Sequence, residues 1–159
     1  MLYNLNGTIN IEIDNSVSNF LMSCRQFRPL FPLRAGFMFA RFPSDKKIKI
    51  ESIYEYDRDR CTHSRQDYIE LGNYEYNLDI FDYHFNNGLH FVGTWQTMQN
   101  YQPHLSQFTR DAIFEGFKKS DHQLNFFLHI IVGWQNDSKT NPILLAHTDK
   151  QHQYADRVE

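Results

Sequence analysis

Gly93-Thr94-Trp95-Gln96-Thr97-Met98, followed by Pro103, Ser106 and Thr109, is the stretch on which the fold turns. Leu89 to Thr97 reads as a strand. Residues two apart on a strand share a face, so Gln96 and Met98 project together while Trp95 projects to the other side, into a core. Gln99 to Leu105 is a loop. Ser106 is suited to cap a helix running to about Lys119, with Phe108, Ala112, Ile113 and Phe117 inward. Gln123 to Gly133, apolar from Phe126 onward, then returns as a central strand.

Working outward, Thr8 to Ile13 alternates Ile9, Ile11 and Ile13 with Asn10 and Glu12, the pattern of a half-buried strand. Asp14-Asn15-Ser16 is a capping cluster. Val17 to Phe27 follows as a helix, with Val17, Phe20, Leu21 and Cys24 at helical spacing, until Pro29 and Pro32 end it. Ala35 to Phe42 and Lys47 to Tyr56 flank the turn Pro43-Ser44-Asp45 and pair as a hairpin. Asp57 to Arg65 is a charged loop, and Tyr68 to Leu71 a short strand. Tyr74 to Phe85 reads as a helix stopped by Asn86-Asn87-Gly88. Ile143 to His147 is expected as an edge strand. The order β-α-β-β-(β)-α-β-α-β-(β) predicts an α/β (α+β) fold, a mixed sandwich with a sheet between helices. One domain spans 1-150, and 151-159 reads as a polar C-terminal tail.

The chain has 159 residues, 41% hydrophobic and 16% aromatic, enough for one sizeable core and unlike a disordered composition. A net charge of −3 with both signs mixed gives no electrostatic footprint for nucleic acid. No apolar run approaches the roughly 20 residues that span a bilayer. The two cysteines, Cys24 and Cys61, form no zinc-type spacing, and Met1 to Ile13 has no basic stretch followed by an apolar one. A cytoplasmic protein with reduced thiols, no nucleic-acid partner and no membrane partner is expected.

This order of elements, with four local matches, resembles the JAB/MPN (JAMM) domain. That family comprises zinc isopeptidases that release ubiquitin-like proteins from their targets, and the bacterial antiphage branch of the CBASS type is the most similar. Pro32-Leu33-Arg34-Ala35-Gly36-Phe37-Met38-Phe39 resembles the family's Glu-x-Gly-Gly strand, with Arg34 at the Glu and Phe37 at the second Gly. Asp57-Arg58-Asp59-Arg60 through Arg65 resembles its Asp/Arg-rich loop. Phe91 to Met98 resembles a strand reading apolar-apolar-Gly-Glu-Trp-His-Thr-His, and Ser106-x-x-Thr109 resembles the Ser-x-x-Asp that opens the next helix. The resemblance covers residues 9 to 134.

The resemblance implies three zinc ligands at positions 96, 98 and 109, with a fourth position open to water and a carboxylate at 34 to take the water's proton. Here each of those groups differs. Gln96 is a neutral oxygen donor and Met98 a soft thioether, poorly matched to zinc. The Thr109 hydroxyl is not ionised at neutral pH, and Arg34 puts a permanent cation where a base is required. Catalysis, metal and cofactor are therefore expected to be absent. Arg34, Gln96, Met98, Ser106 and Thr109 become a degenerate site that holds a partner, with an extended peptide tail adding to a sheet edge and Arg34 pairing with its carboxylate. Arg58, Arg60 and Arg65 become a partner-contact loop. The implied partner is a protein: a ubiquitin-like protein, an E1/E2-like conjugation protein or a paralogous subunit.

The alternative is a hydrolase with a displaced site built from His104, Asp111 or Cys61. Asp111 lies about 200° around the helix from Thr109. His84 and His90 flank a turn without a third ligand at metal-like spacing, and His129, in an apolar strand, reads as a hydrogen-bonded core residue. Ser106 lacks the Gly-x-Ser-x-Gly elbow of a serine hydrolase.

Overall fold

The computed structural model describes residues 1–25, 34–55, 62–64, 68–70, 78–98, 103–105, 107–119, 125–134, 141–148 and 151–159. The chain is a mixed α+β protein dominated by one sheet. Its strands are β1 (Leu2–Leu5), β2 (Ile9–Ile13), β3 (Ala35–Ser44), β4 (Lys47–Glu55), β7 (His90–Thr97), β8 (Phe127–Val132), β9 (Ile143–His147), β10 (His152–Tyr154) and β11 (Asp156–Arg157). A separate hairpin pairs β5 (Thr62–Ser64) with β6 (Tyr68–Glu70). The helices are α1 (Asn15–Ser23), α2 (Leu78–Asn86) and α3 (Gln107–Lys119).

In the large sheet the order is β10-β9-β8-β7-β3-β4-β2-β1-β11. Strands β2 and β4 run parallel, as do β7 and β8 on either side of the α3 crossover, and the other pairings are antiparallel. The two ends of this sheet meet. The segment 152–157 pairs through its first half with β9 and through its second half with β1 (Tyr3 opposite Arg157), and only Ala155 separates the halves. The Tyr3 hydroxyl donates to the Pro142 carbonyl at 2.8 Å, and Arg157 Nη1 donates to the Asn141 carbonyl at 3.1 Å. The result is a nearly closed, barrel-like sheet rather than the expected sandwich.

The core lies inside this curve. Alternation sends Tyr3, Leu5, Ile11, Ile13, Met38, Ala40, Ile48, Ile50, Val92, Trp95, Leu128, Ile130, Val132, Leu144 and Ala146 to one shared cluster. Helix α1 adds Val17, Leu21 and Cys24 to it, and Asp14 caps the helix by accepting from the Ser16 amide at 2.9 Å. On the outside, α2 lays Ile80 and Phe81 over Phe37, Phe39 and Phe91.

Several boundaries differ from the sequence reading. Helix α1 starts at Asn15 and ends at Ser23, capped by Cys24. Leu2–Leu5 is a strand that the periodicity did not announce, since four residues hold only two alternations. Ile143–His147 is no edge strand, being flanked by β8 and β10. The 151–159 stretch, expected as a tail, supplies β10 and β11. Backbone pairing needs amides and carbonyls, not apolar side chains, so its polar composition hid it.

Candidate functional site

Strand β7 carries the motif that resembles a metallohydrolase. Gly93 has φ +149, and a Cβ built there would stand 1.8 Å from the Leu128 carbonyl oxygen, so the close approach of β8 demands glycine at this point. Trp95 is fully buried. Its indole donates to the Tyr54 carbonyl at 3.2 Å, and its ring meets Phe20 edge-on at 5.7 Å. Packing thus accounts for both fixed residues of the Gly-x-Trp frame, and Trp95 sits in the core as expected.

Gln96 and Met98 project together to the outer face, but neither lines an open groove. Gln96 is 2% exposed and Met98 0%. Met98 packs with Ile131 and Leu145, bordered by Leu105 and Ile143. The thioether at this position serves as core filling, the use for which its flexible, polarisable chain is suited.

Arg34 does not join them. Ala35 registers with Gln96 on the outer face, so Arg34 points the other way, with its guanidinium 5.3 Å from the Phe20 ring. There it makes a two-pronged ion pair with Glu55, Nε to Oε1 and Nη2 to Oε2 both at 2.6 Å. The expected convergence of positions 34, 96 and 98 on one surface is corrected by this geometry, and a free Arg34 awaiting a carboxylate is corrected by Glu55. Thr109 lies within α3. Ser106, Arg58, Arg60 and Arg65 lie outside the described residues. For strand addition, the sheet ends in the short strands β10 and β11, which cover the outer edges of β9 and β1.

For the displaced-site alternative, His104 and Asp111 are both exposed, and Asp111 accepts from Gln107 Nε2 of its own helix at 2.7 Å. Cys61 lies outside the described residues. Cys24 is 2% exposed, and burial pushes its thiol up to about 11, so at neutral pH it is no thiolate nucleophile.

Two features escaped the sequence reading. The first is a histidine cluster on the outer face of β8, β9 and β10. The His129 and His147 ring centres lie 6.0 Å apart, and those of His147 and His152 lie 5.9 Å apart. His129 Nδ1 bonds the Thr94 hydroxyl at 2.7 Å. Burial drives the His129 pKa well below the usual histidine value, with the neighbouring His147 adding to the effect, and burial holds His147 down to about 3. The polar character of residues 148–153 concealed that His152 returns beside His147. Among the described residues, no group of three or more His, Cys, Asp or Glu is arranged ready to hold a metal ion.

The second feature is an exposed row of rings at the far end of the sheet. Phe42 and Phe85 are 40% and 64% exposed, and each ring centre lies 5.7 Å from that of the exposed His90. Phe85 rides on α2, whose buried side is anchored by His84. That imidazole stacks on Phe39 at 3.7 Å, with its Nδ1 on the Ile80 carbonyl (2.8 Å) and its Nε2 on the Ser52 hydroxyl (2.9 Å). Among the described residues, no helix is long and apolar enough to cross a membrane.

No protein-family model matches the chain, and no curated protein does. Solved structures do. Protein DSY2949 from Desulfitobacterium hafniense superposes with a TM-score of 0.60 at 11% identity, covering 91% of this chain and 88% of that one. A protein from Salinibacter ruber gives a TM-score of 0.52 at 12% identity, covering 93% and 90%. At these identities the likeness is one of fold alone.

Proposed function

We propose that this chain is a catalytically inactive JAB/MPN-like domain that serves as a protein-binding, scaffold or regulatory module. Its partner class is a ubiquitin-like protein or a component of a conjugation system, in the setting of bacterial or phage defence. The observation that carries the reading is the fate of one ligand position and of the base position: Met98 is absorbed into an apolar cluster, and Arg34 is committed to Glu55 on the opposite face. Side chains so used supply packing and an ion pair rather than metal ligation or proton abstraction. The row Phe42–His90–Phe85 supports binding, since exposed aromatic rings held on rigid elements are favoured interface anchors.

Two measurements test this. In the first, a folded Gln96→His/Met98→His/Thr109→Asp variant gains one zinc ion beyond whatever the parent chain binds, measured by elemental analysis after gel filtration. A soluble, native-like variant that gains none overturns the family reading. In the second, the parent binds a ubiquitin-like protein, or its activating or conjugating enzyme, saturably without cleaving a ubiquitin-like fusion. Phe42→Ser/Phe85→Ser weakens that binding at least tenfold. Cleavage by the zinc-supplemented parent would favour the hydrolase alternative instead.

A further inference from the structure

We propose that His129, His147 and His152 form a binding site for a divalent transition-metal ion of the zinc class, on the outer face of β8–β10. It shares no residue with positions 96, 98 and 109. Register puts the three rings on one face. His147 lies directly opposite His152, and His129 pairs with Leu145, two residues from His147 on β9. Two imidazoles sharing one zinc, with Zn–N near 2.1 Å, set their ring centres about 5–6 Å apart. The separations of 6.0 and 5.9 Å agree with this.

The cluster is also chemically unfinished. His129 is 1% exposed and His147 0%, yet His129 Nε2 and both ring nitrogens of His147 have no hydrogen-bond partner among the described residues. Buried polar atoms left without partners destabilise the fold, so three beside one another mark a place that a ligand would stabilise. The Thr94 hydroxyl occupies His129 Nδ1 and leaves Nε2 as the donor, the arrangement by which an outer partner fixes the ring of a metal ligand. Burial keeps His129 and His147 neutral, the form that coordinates. Phe114 of α3 lies against His147 at 5.9 Å and shields it.

Neutral nitrogen donors select zinc, nickel or copper over magnesium or calcium. Arg110 opposes a cation here: after burial, it lowers the His152 pKa, and its guanidinium is engaged by Gln107. As the rings stand, three donor atoms do not surround one point, so closure around an ion turns His147 and His152 about their side-chain torsions.

The test is calorimetric titration of the chelator-treated full chain with Zn²⁺, paired with the absorption spectrum of the Co²⁺ form. One ion per chain is expected, with a Co²⁺ spectrum of low coordination number and a zinc-dependent rise in melting temperature. His152→Ala, at a half-buried position, should leave the zinc-free melting temperature unchanged and weaken affinity at least tenfold. Thr94→Val should weaken it about tenfold, while His90→Ala and His104→Ala should leave it unchanged. Absence of saturable binding, or binding unaltered in both His152→Ala and Thr94→Val, overturns the site. Neither result bears on partner binding through Phe42 and Phe85, so the two proposals stand or fall separately.

Discussion

Arg34 and Glu55 lock together through two 2.6 Å contacts while the backbone of Arg34 is tied to Thr97. The Thr97 amide donates to the Arg34 carbonyl at 2.8 Å, and the Arg34 amide donates to the Thr97 hydroxyl at 2.9 Å. The pair therefore fastens β4 to the entry of β3 beside β7. Its side chains are 24% and 27% exposed, so solvent screens part of the attraction. We expect Glu55→Gln to lower unfolding free energy by about 1 kcal/mol in urea. A double-mutant cycle with Arg34→Met should give a coupling of similar size. A cycle summing to zero would show that the pair is ornamental.

Gly93→Ala is expected to destabilise the fold by more than about 3 kcal/mol. A methyl group there meets the Leu128 carbonyl at 1.8 Å, and backbone cannot swing aside as a flexible side chain can. Soluble expression and thermal melting read this directly. A variant melting within a few degrees of the parent would mean that β7 and β8 are farther apart than described.

Asn141 is fully buried and clasps the backbone of one residue, accepting from the Gly133 amide at 2.9 Å and donating to the Gly133 carbonyl at 2.8 Å. Asn141→Ala leaves both Gly133 groups without that side chain and should cost about 3 kcal/mol. Asn141→Asp keeps only the acceptor and should remain destabilised at neutral pH. Equal stability of parent and Asn141→Ala in guanidinium would refute this role.

Burial raises the Tyr3 hydroxyl from 10.0 to about 12 against the opposing pull of Arg157. A raised folded value favours the protonated form. The stability it contributes is complete below pH 10 and is lost as pH climbs from 10 toward 12, at about 1.4 kcal/mol per pH unit. Tyr3→Phe removes this dependence together with the bond to Pro142. The difference between the two stability profiles should therefore bend above pH 10, and parallel profiles would contradict it.

Much of the sheet could be read in advance because its strands alternate strongly. Ile9, Ile11 and Ile13 announce β2, and the turn at Pro43 to Asp45 announces the β3–β4 hairpin. Asp14 and the spacing of Val17 and Leu21 place α1. What could not be read depends on tertiary return. Nothing local in His152-Gln153-Tyr154 says that it will lie beside β9, so neither the curvature of the sheet nor the meeting of His147 with His152 was visible. The candidate site was legible as spacing but not as geometry. Alternation correctly put Gln96 and Met98 on one face, yet burial of both and the turning away of Arg34 depend on α1, on Leu105 and on Glu55. Those neighbours are set by packing, not by sequence distance.

The joining of β9 to β1 through residues 152–157 also dictates an order of events. Tyr3 and Arg157 are partners from opposite ends of the described chain, and bringing them together in an open coil carries the largest loop-closure cost of any pairing here. Once β2, β4, β3, β7, β8 and β9 have assembled, the same two strands face each other across a short gap and the cost nearly vanishes. The seam therefore forms last and, with three residue pairs on one side and two on the other, should open first. Native-state hydrogen exchange should show the Ala155 amide, which donates to Leu144, exchanging through local opening, while Ile130 and Ile131 exchange only on global unfolding.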